Sequence, residues 1–210
     1  MPRLAENRAA AEPSSPRQIA RYRRILRAAA DLAAENGLDR VQMHDVARDA
    51  EVAIGTLYRY FPSKTHLFTG VMVDRVERLS ESLAQPKSEE DPEEAVYQLL
   101  VHASRSLVRK PLLAMAMLQS ANSASAATVP DVGRIDSLFL DIMLRTLRLE
   151  EPSARDVTLV RLLLQCWYGV LTSSLNGRMA LPDAEVDLRL ACRLLLAERS
   201  NAPGSAQTSQ

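Results

Sequence analysis

Apolar residues recur at spacings of three and four along most of this chain, and few stretches alternate apolar with polar residues. That period predicts helices almost throughout and an all-α fold. Ile19, Tyr22, Ile25, Leu26, Ala29, Leu32 and Ala33 give one apolar face to a first helix over Arg17–Asn36. Asn36-Gly37 ends it, glycine being suited to a left-handed cap. A short helix is expected over Met43–Ala50 and a third over Ile54–Tyr60, stopped at Phe61-Pro62 because proline disfavours helix in the residue before it. Ser63 suits the N-cap of a long fourth helix reaching Leu83. Further helices are expected at Glu93–Arg109, Leu112–Ala127, Asp131–Leu149, Ser153–Asn176 and Pro182–Arg199. Pro111, Pro130, Pro152 and Pro182 fall between or just inside them, and Ser153 with Asp156 has capping-box spacing. The polar, proline-bracketed stretch Gln85–Pro92 marks a boundary. Residues 1–16 and 200–210 lack periodicity and read as disordered arms.

Composition narrows the class. The chain has 210 residues, 47% of them hydrophobic, enough for one substantial core or two small units. Basic and acidic residues balance at 26 each, which excludes a polybasic or wholly acidic disordered chain. Cys166 and Cys192 lie far apart with no CxxC, so neither a zinc site nor a disulfide framework is expected, and a reducing, cytoplasmic compartment fits. No export segment is apparent, and the uncharged stretch Pro111–Pro130 is too polar in its second half to span a bilayer, so no membrane partner is expected. His44, His66 and His102 sit in unlike contexts, and no catalytic motif is present. The chain reads as a non-enzyme without metal or cofactor.

Met43–Tyr60 holds two short helices joined by a tight turn, the helix-turn-helix plan whose second helix enters the DNA major groove. Val46, Ala47 and Ala50 must then face Val52, Leu57 and Tyr60, with Ala47 small enough for a close crossing. Gly55 and Thr56 leave room for the start of the second helix to approach bases or phosphates, and its free N–H groups favour phosphate. Tyr58, Arg59 and Lys64 add hydrogen bonds and charge. Arg17, Arg21, Arg23, Arg24 and Arg27 place five arginines in eleven residues with no acid among them. Arg17–Lys64 carries nine basic against six acidic residues, a net of +3 in a neutral chain. That asymmetry is a footprint of phosphate binding; a merely solvated helix face is the alternative for any one arginine.

Asp45–Phe68, and within it Gly55-Thr56-Leu57-Tyr58-x-Tyr60-Phe61-x-Ser63-Lys64, resembles the DNA-binding signature of TetR-family transcriptional regulators. Two positions depart from the family pattern. Glu51 stands where glycine is usual, and Ala53 where Ser or Thr usually caps the recognition helix. Val41-Gln42-Met43, the run from Ala53 to Leu67, Pro111-Leu112-Leu113 and Ser123–Ala127 are similar, more narrowly, to the KstR-type repressors of sterol catabolism.

The resemblance implies a helix-turn-helix domain over 17–64, a fourth helix at 63–84 linking onward, and an effector-binding and dimerisation domain over 65–199. It implies palindromic double-stranded operator DNA as partner, read by Arg17, Arg21, Gln42, His44, Ala53, Ile54, Gly55, Thr56, Tyr58, Arg59, Tyr60 and Lys64. It also implies a homodimer and, as effector, a small apolar molecule of the steroid or fatty acyl-CoA type.

The C-terminal half supplies candidates for both roles. The uncharged Pro111–Pro130 segment must be enclosed on most sides, either as an ordinary buried helix or as a pocket wall. As a wall it brings Met115, Leu118, Gln119 and Asn122, joined by Phe139, Met143, Trp167, Leu171 and Ser174, with Trp167 reading more naturally as core. Arg105, Arg109 and Lys110 are candidates for the phosphates of coenzyme A. Leu159, Leu163, Val170, Val186, Leu190 and Leu194 form apolar stripes suited either to a four-helix dimer interface or to a single-chain core. A drug-responsive efflux regulator, or a helical interaction protein with a vestigial DNA motif, remain the alternative functions.

Overall fold

The computed structural model describes residues 11–82, 91–125 and 127–200. Among these residues all regular structure is helical: α1 (Pro16–Arg40), α2 (Met43–Asp49), α3 (Ile54–Tyr60), α4 (Lys64–Ser82), α5 (Pro92–Val108), α6 (Pro111–Ser123), α7 (Asp131–Thr146), α8 (Ala154–Leu175) and α9 (Leu181–Ser200). No described helix is long and apolar enough to cross a membrane. Residues 1–10 and 201–210, most of the expected 85–92 linker, and Ala126 lie outside the described residues.

The helix ends follow from local chemistry. Gly37 sits at φ 74°, ψ 167°, a region open essentially to glycine alone. The chain kinks there and resumes one more turn to Arg40, beyond the expected stop at Asn36. Ser153 and Asp156 form the anticipated capping box at the start of α8. The sixth helix ends at Ser123 rather than Ala127. Ser123 Oγ bonds back to the Ser120 carbonyl, and the Ser125 carbonyl accepts from Thr128 and Val129, so serine and backbone build a turn in place of helix. Part of the segment read as a disordered arm is held: the Ala11 N–H donates to the Arg59 carbonyl, and Ser15 caps α1 by accepting from Gln18 N–H.

The described residues fall into two compact units. The first takes the described residues up to Ser82 together with Leu107–Leu138; the second takes those from Asp91 to Ser106 and from Phe139 onward. In packing, therefore, α6 and the start of α7 belong with the helix-turn-helix, although they lie beyond residue 64 in the chain.

In the first unit α6 packs on α1 and α4. Ala29, Ala30 and Ala33 of α1 and Ala114 and Ala116 of α6 are buried, and their small side chains permit close approach. Ile25, Leu57, Phe61, Leu67, Phe68 and Leu113 fill the centre. In the second unit α8 packs along α9, and Val96, Leu100, Met143, Val160, Leu163, Leu188 and Leu196 are buried. Glu94 pairs with Arg189, whose guanidinium lies 3.8 Å from the Tyr97 ring centroid, and Arg105 holds Glu185 through two 2.7 Å bonds. These pairs are exposed to solvent, so they contribute little to stability. Burial pushes both thiols up, Cys192 to about 12, so neither is a poised nucleophile.

Candidate nucleic-acid interface

The helix-turn-helix is built from its buried side outward. Val46, Ala47, Ala50 and Leu57 are at most 4% exposed, which fixes which faces of α2 and α3 point outward. The turn between them is a Schellman arrangement: Val52 N–H donates to the Ala47 carbonyl and Glu51 N–H to the Arg48 carbonyl. Glu51 is the left-handed residue this requires, at φ 52°. A side chain there costs about 1 kcal/mol against glycine. Ala53 then N-caps α3 without any side-chain bond. The turn lacks both usual local signals and relies on tertiary support, in which the Arg24 Nε–H donates to the Ala50 carbonyl at 3.3 Å. In the sequence Arg24 is one arginine of a basic run; its role is visible only once α1 and α2 are packed.

On the outward side, Gln42, His44, Ala53, Gly55, Tyr58 and Arg59 are exposed, and Ile54 and Thr56 are half-buried. A methyl group at Gly55 would meet nothing within 4 Å. Internal packing therefore does not demand glycine there. Arg17 is exposed and Arg21 half-buried on the first turns of α1. Lys64 is half-buried, and its Nζ donates to the Leu38 and Asp39 carbonyls at 3.3 and 3.4 Å. It ties the start of α4 to the end of α1.

Of the two roles expected of Tyr60, facing the core of the motif and contacting DNA, only the first agrees with the structure. Tyr60 is 2% exposed, its ring meets Tyr22 edge-on at 5.7 Å, and Phe61 closes the aromatic group at 4.8 Å from Tyr22. Placed at the end of α3 facing α1, it anchors the recognition helix rather than touching DNA. Gly70 makes room for this anchor, because a Cβ there would stand 2.9 Å from Phe61 Cε1.

The family models and relatives agree with this architecture. Residues 25–71 match the model described as bacterial regulatory proteins, tetR family, and residues 90–195 that described as tetracyclin repressor-like, C-terminal domain. The chain belongs to the TetR family. It is accordingly a DNA-binding transcription regulator of the helix-turn-helix type. It is 36% identical over 194 residues to the HTH-type transcriptional repressor KstR of Rhodococcus jostii (strain RHA1), covering 90% of this chain and 89% of that protein. It is 31% identical over 195 residues to KstR of Mycobacterium tuberculosis, covering 92% and 89%. A solved TetR transcriptional regulator from Rhodococcus sp. RHA1 superposes with a TM-score of 0.78 at 52% identity, covering 85% of this chain and 98% of that one.

The residues expected to hold an effector in this TetR-family chain divide between the units. Met115, Leu118, Gln119 and Asn122 lie in the first, and Phe139, Met143, Trp167, Leu171 and Ser174 in the second. Met143, Leu171, Trp167 and Leu118 are buried, whereas Gln119 and Asn122 are exposed. Trp167 Nε1–H donates to Ser104 Oγ at 2.8 Å, and Ser104 Oγ–H to the Leu100 carbonyl at 2.8 Å, a polar contact that no periodicity announces. Beside it is a void of about 10 Å³ lined by Ser104, Leu171, Ser174 and Leu188, room for roughly one water. Arg105, a candidate for coenzyme A phosphate, is engaged by Glu185.

The dimer candidates also divide. Val186, Leu190 and Leu194 are 68, 55 and 62% exposed, forming one apolar row on α9, and Leu162 on α8 is 49% exposed. Leu159 and Val170 are half-buried. Leu163 is 0% exposed within the single chain, so it belongs to the core of its own unit and leaves the list of interface residues.

Proposed function

We propose that this protein is a homodimeric repressor acting in the cytoplasm on palindromic operators of lipid or sterol breakdown genes. Release from DNA follows binding of an apolar acyl-CoA effector. The observation carrying this reading is the likeness to KstR repressors over about nine-tenths of the chain. The exposed face of α3, with Gly55, Thr56, Tyr58 and Arg59, supports direct DNA reading, with Gln42, His44, Ala53, Ile54, Arg17 and Arg21 beside it. Lys64 is read as both a tie to α1 and a phosphate contact.

The row Val186, Leu190, Leu194 with Leu162 supports a self-complementary interface, since large apolar side chains at regular spacing seldom stay in water. Two heads on one duplex must reach half-sites roughly 34–36 Å apart. The void beside Ser104 is far smaller than a steroid, so effector entry requires buried side chains to move. Release then demands that the effector favour the DNA-incompetent state, because equal affinity for both states shifts nothing.

Fluorescence anisotropy with the duplex flanking the protein's own gene tests the reading. Long-chain or steroidal acyl-CoA is expected to release the protein, and small polar metabolites are not. Release by a cationic dye and not by acyl thioesters would favour the efflux-regulator reading. Binding without salt dependence or sequence preference would favour a vestigial motif.

A further inference from the structure

The first unit contains a cleft of about 650 Å³ between α1, α4 and the segment leading into α7, within the size range of small-molecule sites. One side is apolar and aromatic, with Tyr22, Tyr60, Phe61 and Val73; the other is charged. Four carboxylates line it, Glu12, Asp74, Glu77 and Asp131, against the two guanidiniums of Arg23 and Arg134.

Most of these groups are already engaged. Arg134 pairs with Glu77 and Arg78 with Asp74. The His66 ring lies within hydrogen-bond distance of Ser63 Oγ at one nitrogen and of the Thr128 carbonyl at the other. Asp131 differs. Among the described residues no hydrogen bond or ion pair reaches its carboxylate, and burial raises its pKa, only partly offset by Arg134 and His66. The Tyr22 hydroxyl also makes no hydrogen bond among them; burial first, and the field of Asp131 second, push its pKa up. Among the described residues the site thus holds an acid and a phenol oxygen without a hydrogen bond, beside aromatic rings and under a surplus of negative charge.

We propose that this cleft binds an organic cation, an ammonium group carried on an aromatic or polycyclic body. The ammonium donates to the Asp131 carboxylate and the Tyr22 oxygen, two half-buried acceptors that no other described group engages. The apolar body lies against Ile19 and Tyr22, the accessible part of a wall backed by Tyr60, Phe61 and Val73, where the Tyr22 ring also attracts positive charge. A carboxylate of the same shape meets the surplus negative charge and is rejected. All these residues belong to the first unit, so the proposal stands apart from the acyl-CoA reading.

The test uses the full chain and naphthylethylammonium, whose ring fluorescence anisotropy reports binding, beside naphthylethanol and naphthylpropionate. The ammonium is expected to bind about tenfold more tightly than either analogue, a difference of about 1.4 kcal/mol. Asp131→Asn is expected to weaken it about fivefold without weakening naphthylpropionate, and Tyr22→Phe, which keeps the ring, about twofold. Circular dichroism melts establish that both variants fold. Equal affinity for the three probes, or ammonium binding at wild-type strength in both variants, overturns the proposal.

Discussion

Arg24 in the middle of α1 donates its Nε–H to the carbonyl of Ala50, the C-cap of α2. That carbonyl is among those a helix end leaves without an intrahelical partner. The bond therefore holds the turn where Glu51 is strained and Ala53 supplies no cap. Arg24→Leu keeps the apolar stem and removes the donor. It is expected to cost about 1 kcal/mol in urea melts and to weaken operator binding more than its lost charge alone. An unchanged melt would show that the bond contributes nothing to holding the turn.

Glu51→Gly should act in the opposite direction. The residue sits at φ 52° with a side chain that the left-handed conformation disfavours. Relief of about 0.5–1 kcal/mol is expected, read as a melting temperature higher by a few degrees. A lower melting temperature would mean that the glutamate side chain stabilises the turn by more than its conformation costs.

Gly55→Ala separates folding from DNA binding. A methyl group there meets no atom of the chain within 4 Å, so stability should hold or rise, by up to about 1 kcal/mol from helix propensity. If α3 enters the groove as proposed, operator affinity should fall about tenfold, because a methyl there would separate the helix backbone from the duplex. Undiminished affinity would place the start of α3 away from DNA.

Leu190→Arg and Leu163→Arg should fail differently. Leu190 is 55% exposed in the single chain, so arginine there is expected to leave folded monomers in light scattering. Leu163 is fully buried, and an unpaired guanidinium in its place should cost several kcal/mol and unfold the second unit. Folded dimers persisting in Leu190→Arg and Leu194→Arg would locate the interface elsewhere.

Thr69 offers a stabilising change. Its hydroxyl is buried with no hydrogen-bond partner among the described residues. Thr69→Val keeps the shape and removes the unsatisfied group, for an expected gain of about 1 kcal/mol in chemical denaturation. A loss would show that the hydroxyl has a partner, such as a buried water.

The chain's own residues determined what depends on neighbours a few positions away. The helical period placed α2 and α3 within a residue of where they lie, Ser153 and Asp156 announced their capping box, and the core partners Val46, Ala47, Ala50 and Leu57 followed from a one-turn geometry. Turns and caps are short-range chemistry, so they are legible in one dimension. The tertiary structure alone decided which apolar residue of a stripe meets which neighbour. Helical spacing puts Tyr60 on the inner face of its short helix, but that its neighbours there are Tyr22 and Phe61 depends on how α1 packs. Leu163 and Leu190 have the same side chain in similar patterns, and one is enclosed while the other faces solvent. The Arg24–Ala50 bond and the cleft around Asp131 join residues distant in sequence. Hydrophobic periodicity states that a face is apolar; what covers that face depends on how the helices pack.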